Sequence, residues 1–342
     1  MVLQYIQGFD GVSDPLELDG SSSNAAVATT IKNTGTQSLF LNSLTARFDI
    51  SLPSVQDTYI IGFAYRTSGA ILGSTTSSQS PFVFYNGSDY QFTIYQSLDG
   101  RLNAFKSPTL LGTTTNPLPV DTWVYIEFKI TIKNSISAND FIIKVDGVEE
   151  LNLSATTDTQ YQGFSGFDTI RFRGPYNSGW AFVDDVYIVD ITGSVNNDFL
   201  GTCRVEAINP NGNGNANQFN GSDGNSVDNY LHVDELLNDG DTSYVESETV
   251  SQKDQYTFSN LTGAISTIHG VSADTVCKKT EADVRTGKLF CRQGGADYEG
   301  DEFSPTTSYF TYSNIWETDP DTAVAWLEAG VNAAEFGIKV ES

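Results

Sequence analysis

Basic side chains are scarce in this chain of 342 residues. Eighteen Lys and Arg stand against 43 Asp and Glu, a net charge of −25. That deficit excludes nucleic-acid backbones and anionic membrane surfaces as partners, because both would repel the protein. The surplus acid reads as a solubilising coat on a large β surface. Histidine is almost missing too: His232 and His269 are the whole supply. Neither sits in a nucleophile elbow or a metal-spacing motif, so each reads as a strand residue with its hydrogen bonds satisfied. Three cysteines, Cys203, Cys277 and Cys291, contain no Cys-x-x-Cys pair, which argues against a disulfide framework and a zinc site. Cys277 and Cys291 flank an expected hairpin turn and could face each other, but a reducing cytosol favours buried thiols. No apolar run reaches the ~18 residues of a membrane span. The stretch 1–8 (MVLQYIQG) has neither the basic segment nor the long apolar segment of a secretion signal, so synthesis in the cytoplasm is expected.

Catalytic patterns are missing as well. Two-carboxylate glycosidases need both groups on one face, about 5–10 Å apart, and no Glu-x-Asp-x-x-Glu strand occurs here. Glu127 stands alone in its strand. Glu149–Glu150 and Asp184–Asp185 are adjacent pairs, which regular strands send to opposite faces. The expectation is therefore no enzyme and no catalytic residue. The turn acids Asp198, Asp234, Glu235, Asp239, Asp241, Asp319 and Asp321 fit no EF-hand spacing and read as solvated. No cofactor is expected beyond calcium at Asp10 and Asp185, a pair that neighbouring terminal strands would bring together.

What the chain does contain is strand material. Hydrophobic residues make up 39% and aromatics 12%, enough for a core in each half. Gly, Ser, Thr, Asn and Asp supply turns between short strands. Thr58–Arg66 is apolar enough for a central strand. Thr122–Ile132 alternates, with Ile126, Phe128, Ile130 and Ile132 in one register. Asp146–Gly147 is a favoured hairpin pair. Residues 209–229 read as a polar loop rich in Gly and Asn. Asp319–Pro320 opens a short expected helix over Asp321–Ala329, stopped by Gly330. The result is an all-β chain of two antiparallel β-sandwich (jelly-roll-like) domains in tandem, 1–192 and 193–342.

Sugar binding calls for exposed aromatics beside hydrogen-bonding groups. Tyr85 and Tyr90 in one loop region, and Tyr176 and Trp180 in another, are the candidate ligand-binding residues. The core claims Trp180 more readily than a ligand does.

Two resemblances add to this. The tryptophan strand at Trp123, the strand ending in Asp146–Gly147 and the closing Asp184-Asp185-Val186-Tyr187 resemble a concanavalin-type or laminin-G-like sandwich over about residues 1–192. Val195-Asn196-Asn197-Asp198-Phe199-Leu200-Gly201, Asn229–Glu235, Asp241–Val245, Lys253–Phe258, Ile315–Thr322 and Ala329–Gly337 resemble a family of tailed-bacteriophage virion proteins. That resemblance implies a non-enzymatic virion component and does not say where on the particle it sits; the reading taken is a structural protein displayed on the particle exterior, associated with tail or fibre. Its partners would be other virion proteins and further copies of itself, a trimer if fibre-like, with contact to host-surface carbohydrate. Head (capsid) decoration is the alternative. A glycan-binding receptor-recognition module or a depolymerase is the second.

Overall fold

The computed structural model describes residues 3–18, 22–68, 80–106, 108–153, 155–175 and 179–342. The chain is essentially all-β, built of several antiparallel sheets. It divides into two compact units, Met1–Asp10 with Asp14–Val205, and Gly11–Ser13 with Glu206–Ser342.

In the first unit an eight-stranded sheet contains β1 (Leu3–Gln7), β2 (Ala26–Ala28), β3 (Ser38–Leu41), β5 (Thr58–Thr67), β10 (Val124–Thr131), β11 (Ile142–Val145), β12 (Val148–Asn152) and β14 (Ala181–Asp190). Its order is β12-β11-β10-β5-β14-β3-β2, with β1 also paired to β14. A six-stranded sheet contains β4 (Arg47–Gln56), β6 (Phe82–Asn86), β7 (Asp89–Gln96), β8 (Leu102–Lys106), β9 (Thr109–Thr113) and β13 (Phe167–Arg173), in the order β4-β13-β6-β7-β8-β9. The alternation on β10 does what period-two patterning requires. Ile126, Phe128 and Ile130 join one buried cluster with Phe63 and Tyr65 from β5 and with Phe82, Phe84 and Phe172 from the other sheet. The Phe63 ring lies 5.3, 5.4 and 5.0 Å from those of Phe82, Phe128 and Phe172. This aromatic knot holds the two sheets face to face as a β-sandwich. At the β11–β12 turn both Asp146 (φ 49°) and Gly147 (φ 78°) are left-handed, the conformation a two-residue type I′ hairpin needs.

The outer side of the larger sheet is covered by the chain that follows β14. Gly201 N–H donates to Glu127 Oε1 (2.9 Å), Leu200 N–H to the Tyr187 hydroxyl (3.1 Å) and Val205 N–H to Asp185 Oδ1 (2.7 Å). Lys144 Nζ sits 3.8 Å from the centre of the Phe199 ring. Gly62 makes room for this arrangement, since a Cβ there would fall 2.0 Å from the Tyr187 ring.

The second unit has a five-stranded sheet of β15 (Pro210–Asn217), β18 (Lys253–Phe258), β20 (Gly287–Gln293), β21 (Ala296–Phe303) and β23 (Glu335–Val340), ordered β15-β18-β23-β20-β21. Two ribbons accompany it: β16 (Asn220–Gly221) with β17 (Val245–Glu246), and β19 (Val271–Cys277) with β22 (Phe310–Trp316). Its core is small. Cys291, Trp326, Val331, Ala334 and Phe336 are buried, with Ile208, Phe258, Val271, Ala273 and Trp316 packed around them. The opposite face of the sheet is ionic, with Lys339 reaching Glu299 (2.6 Å) and Glu341 (2.7 Å) and both Lys253 and Arg292 reaching Asp297 (2.8 and 2.7 Å).

Two local expectations fail for identifiable reasons. Part of the expected loop 209–229 is β15, whose Gly212 and Gly214 let its backbone pass close to Thr257 and Gln255 on β18. The helix is α1 (Glu328–Ala333), not Asp321–Ala329. Ala323 is left-handed (φ 57°), and Trp326 bridges Ile268 in extended conformation while its indole N–H donates to the Trp316 carbonyl (2.9 Å). Burial of that ring holds the chain extended until Leu327. All three cysteines are free thiols. Among the described residues no helix is long and apolar enough to cross a membrane.

Candidate functional site

The sequence-predicted residues fall on two different sheets. Tyr85 on β6 and Tyr90 on β7 are register partners in the six-stranded sheet. Trp180, just before β14, packs on the larger sheet at 5.2 Å from Phe182, with the Arg66 guanidinium 5.9 Å from its ring. It is half-buried at the surface of that sheet, not in the core as expected. Tyr176 lies outside the described residues.

The smaller sheet carries the richer chemistry on its outer face. Residues directly opposite in an antiparallel ladder share a face. Asp49, Arg171, Val83, Thr93 and Phe105 are consecutive register partners across β4, β13, β6, β7 and β8, so one row crosses the sheet. Beside it lie the pair Arg47–Arg173 and the run Ser51–Thr169–Tyr85. Arg171 grips Asp49 with both ends of its fork, Nε to Oδ1 and Nη2 to Oδ2, each at 2.6 Å. Its third nitrogen donates to the Tyr85 hydroxyl (2.9 Å), and the guanidinium lies 4.7 Å from the Tyr85 ring centre. A bidentate pair of this kind is geometrically fixed, and it is nearly out of water, with side-chain exposures of 16% for Arg171 and 4% for Asp49. Burial draws the Arg173 guanidinium below its ordinary range. Tyr85 and Asp49 oppose that shift, and the Arg171 and Arg47 charges add to it. Among the described residues, Gln91 Oε1 and Thr93 Oγ1 are buried without a hydrogen-bond partner. An orphaned acceptor or hydroxyl costs about 1–3 kcal/mol.

This assembly was not legible as such. Tyr85 could be named from the sequence, but Arg171, 86 positions away, and Asp49, 122 positions from Arg171, are brought to it only by strand pairing.

The Asp10–Asp185 pair lies elsewhere. Asp185 is left-handed (φ 51°) in a bulge of β14, and this corrects the expectation that Asp184 and Asp185 point to opposite faces. A bulge re-aims side chains, and both carboxylates bind the same turn. Asp184 Oδ2 accepts from the N–H groups of Asn33 (2.8 Å) and Thr34 (3.3 Å). Asp185 accepts from Asn33 Nδ2 (2.7 Å) and Thr34 Oγ1 (2.6 Å). Asp10 Oδ1 accepts from Thr36 N–H (2.6 Å), Thr36 Oγ1 (2.6 Å) and Gln37 N–H (3.0 Å). Burial, then the Asp185 charge, pushes Asp184 up to about 8. Burial also raises Asp185, and the Asp10 charge adds to it. These oxygens face N–H and O–H donors, a lining that suits carboxyl groups as hinges of a turn.

A second buried group is Glu127, whose Oε1 also accepts from the Tyr187 hydroxyl at 2.5 Å. Burial, followed by Glu127 and Asp185, pushes the Cys203 thiol up to about 12, so it is an inert thiol at neutral pH.

No family model and no curated protein matches the chain. Solved structures do. A conserved carbohydrate esterase from the Shiga toxin-encoding bacteriophage phi24B is 16% identical with a TM-score of 0.33, covering 49% of this chain and 88% of that one. The carbohydrate-binding module CBM66 from Bacillus subtilis is 9% identical with a TM-score of 0.29, covering 50% and 98%. The catalytic domain of a glycoside hydrolase family 131 protein from Coprinopsis cinerea is 14% identical with a TM-score of 0.35, covering 58% and 98%. These are carbohydrate-active proteins. The expectation of a non-enzymatic structural virion protein, with its tail, fibre and capsid assignments, and the expectation that the chain is no enzyme are withdrawn: no family model and no curated protein supports them. Likenesses this distant are likenesses of architecture, so the function must be argued from this chain's own residues.

Proposed function

We propose that the chain engages a glycan on the outer face of the six-stranded sheet, with Tyr85 as the stacking ring and the Asp49–Arg171 pair fixing the polar groups around it. The observation that carries this reading is the convergence of an aromatic ring and a rigid bidentate charge pair, at 4.7 Å from guanidinium to ring centre. Sugars bind where an apolar ring surface meets a few fixed polar groups. Tyr85, Arg171 and Arg173 are each half-buried, and Tyr85 and Tyr90 stand side by side. Stacking on Tyr85 would add contact area at small entropic cost, because the ring is already held by Arg171.

The reading covers a binding module and the recognition half of a glycan-degrading enzyme alike. Titration against a panel of polysaccharides tests it, with binding expected for the wild type and at least a tenfold loss for Tyr85→Ala. Chain length after incubation separates binding from cleavage. Silence across the panel removes the reading.

We also take the second unit as a second sandwich, its five-stranded sheet facing the β19–β22 ribbon. The shared core of Phe336 and Cys291 with Val271, Ala273 and Trp316 supports that.

A further inference from the structure

A ring, an arginine and an aspartate meet twice in the first unit, once on each outer face of its sandwich. On the six-stranded sheet the Arg171 guanidinium lies 4.7 Å from the Tyr85 ring centre and bonds Asp49 at 2.6 Å. On the eight-stranded sheet the Arg66 guanidinium lies 5.9 Å from the Trp180 ring centre and bonds Asp121 at 2.6 Å. Strand alternation puts the second set on the outer side. Tyr65, Ala181 and Val183 belong to the buried core, so Arg66 and Phe182, one position along, face away from it.

Both flanks of this second platform are pinned to the end of β5. Asp121 N–H donates to the Thr67 carbonyl (2.8 Å), Ser68 N–H donates to the Trp180 carbonyl (3.0 Å), and Trp180 N–H donates to Ser68 Oγ (2.9 Å). Phe182 forms the floor. Its ring stacks on Phe40 at 4.8 Å and lies 5.2 Å from Trp180. The Trp180 ring, half-buried, is thus held in place while part of it stays open to water. A ring fixed in this way loses little freedom when a ligand stacks on it.

The two sets differ in what they leave for a ligand. Asp49 is 4% exposed and gives both oxygens to Arg171. Asp121 is 59% exposed, and both Arg66 nitrogens bond its Oδ1. Among the described residues, its Oδ2 accepts no hydrogen bond. An ionised carboxylate only accepts, so Asp121 suits sugar hydroxyls while the indole suits the apolar face of a sugar ring. An exposed carboxylate in a chain of net charge −25 repels anions, and the complement of this platform is an uncharged sugar.

We infer that Trp180, Arg66 and Asp121 form a second glycan contact, for a neutral sugar, on the sandwich face opposite Tyr85. The inference rests on the glycan-binding reading above and extends it from one face to two. One chain then holds two stretches of glycan at once, and its avidity for a polymer exceeds that of either contact.

The test is calorimetric titration of the full chain with cellohexaose, maltohexaose, xylohexaose and galactotriose, and with trigalacturonate as the charged counterpart. Two sugars per chain are expected for the wild type, one for Tyr85→Ala and one for Trp180→Ala, with melting curves showing each variant folded. Asp121→Asn suits an exposed left-handed position. It is expected to weaken the site that persists in Tyr85→Ala by about tenfold, and it decides alone where Trp180→Ala does not fold. One sugar per chain, lost in Tyr85→Ala and kept in Trp180→Ala and Asp121→Asn, would overturn the second contact and leave the Tyr85 reading standing. One sugar per chain, lost in Trp180→Ala and kept in Tyr85→Ala, would support the contact and overturn the Tyr85 reading instead. Tighter binding of trigalacturonate than of galactotriose by Tyr85→Ala would overturn the neutral class. Silence of every sugar removes both contacts.

Discussion

Each unit holds one pair of acids in its own way. In the first, Asp184 and Asp185 are enclosed and met by neutral donors of one turn, Asn33 and Thr34, and burial raises both. In the second, Glu299 and Glu341 stand on an open sheet face against Lys288 and Lys339, and those ammonium partners lower both. The first unit encloses Asp184 and Asp185 over a core knotted by phenylalanines, and the second, around its small cluster, encloses Asp254 among neutral donors while one sheet face carries the lysine–glutamate pairs. Enclosed polar groups are costly to disturb and exposed pairs are cheap.

That contrast is broken most forcefully at the ion pairs. Arg171→Ala removes the bidentate partner of Asp49 inside the first unit and should cost about 3–5 kcal/mol. Arg285→Ala in the second unit, whose side chain is 36% exposed and whose partner Glu281 is 62% exposed, should cost no more than about 1 kcal/mol. Chemical denaturation of the two variants checks this, and equal losses would erase the distinction.

Next comes the covering segment of the first unit. Gly62→Ala places a methyl group against the Tyr187 ring, and overpacking of that sort costs about 1–3 kcal/mol. Hydrogen exchange should show residues 199–205 released, and full protection there would contradict the strap.

The response to pH has opposite signs. Asp184 has a folded value of about 8 against 3.8 for the free group. Its carboxyl is therefore best tolerated below pH 3.8, and its contribution is lost as pH rises toward 8, by up to about 1.4 kcal/mol per pH unit. Glu299 and Glu341 are depressed, so their contribution is present above the ordinary glutamate value and lost as pH falls through the lowered one. Segment-resolved hydrogen exchange from pH 4 to 8 should show the first unit loosening and the second holding. Asp184→Asn should flatten the first trend.

The smallest effect is that of salt. Raising it to about 1 M shortens the screening length to about 3 Å and should weaken the second unit by less than about 1 kcal/mol. Exposed pairs of the first unit such as Lys133–Asp57 should weaken alike, and thermal scans at two salt levels report it.

Local pattern carried the first unit's strands a long way. The apolar run from Thr58, the alternation through Phe128 and the Asp146–Gly147 turn each became the element their chemistry implies. Non-local facts stayed hidden. The β14 bulge that joins Asp184 to Asp185, and the register that sets Asp49 and Arg171 beside Tyr85, depend on which strand lies next to which. In the second unit Pro210–Asn217 forms a strand without any apolar alternation, because its glycines allow close backbone approach to β18. There pairing overrode propensity. Tyr85 was visible as an aromatic in a polar stretch, whereas its arginine partner could be found only through the ladder.

The central claim is that the outer face of the six-stranded sheet is the glycan contact. Hydrogen-exchange mapping of the full chain with and without a bound oligosaccharide tests it most directly. New protection should appear in 82–96 and 167–173, centred on Tyr85 and Arg171. Protection around Trp180 instead, or in the second unit alone, would contradict it.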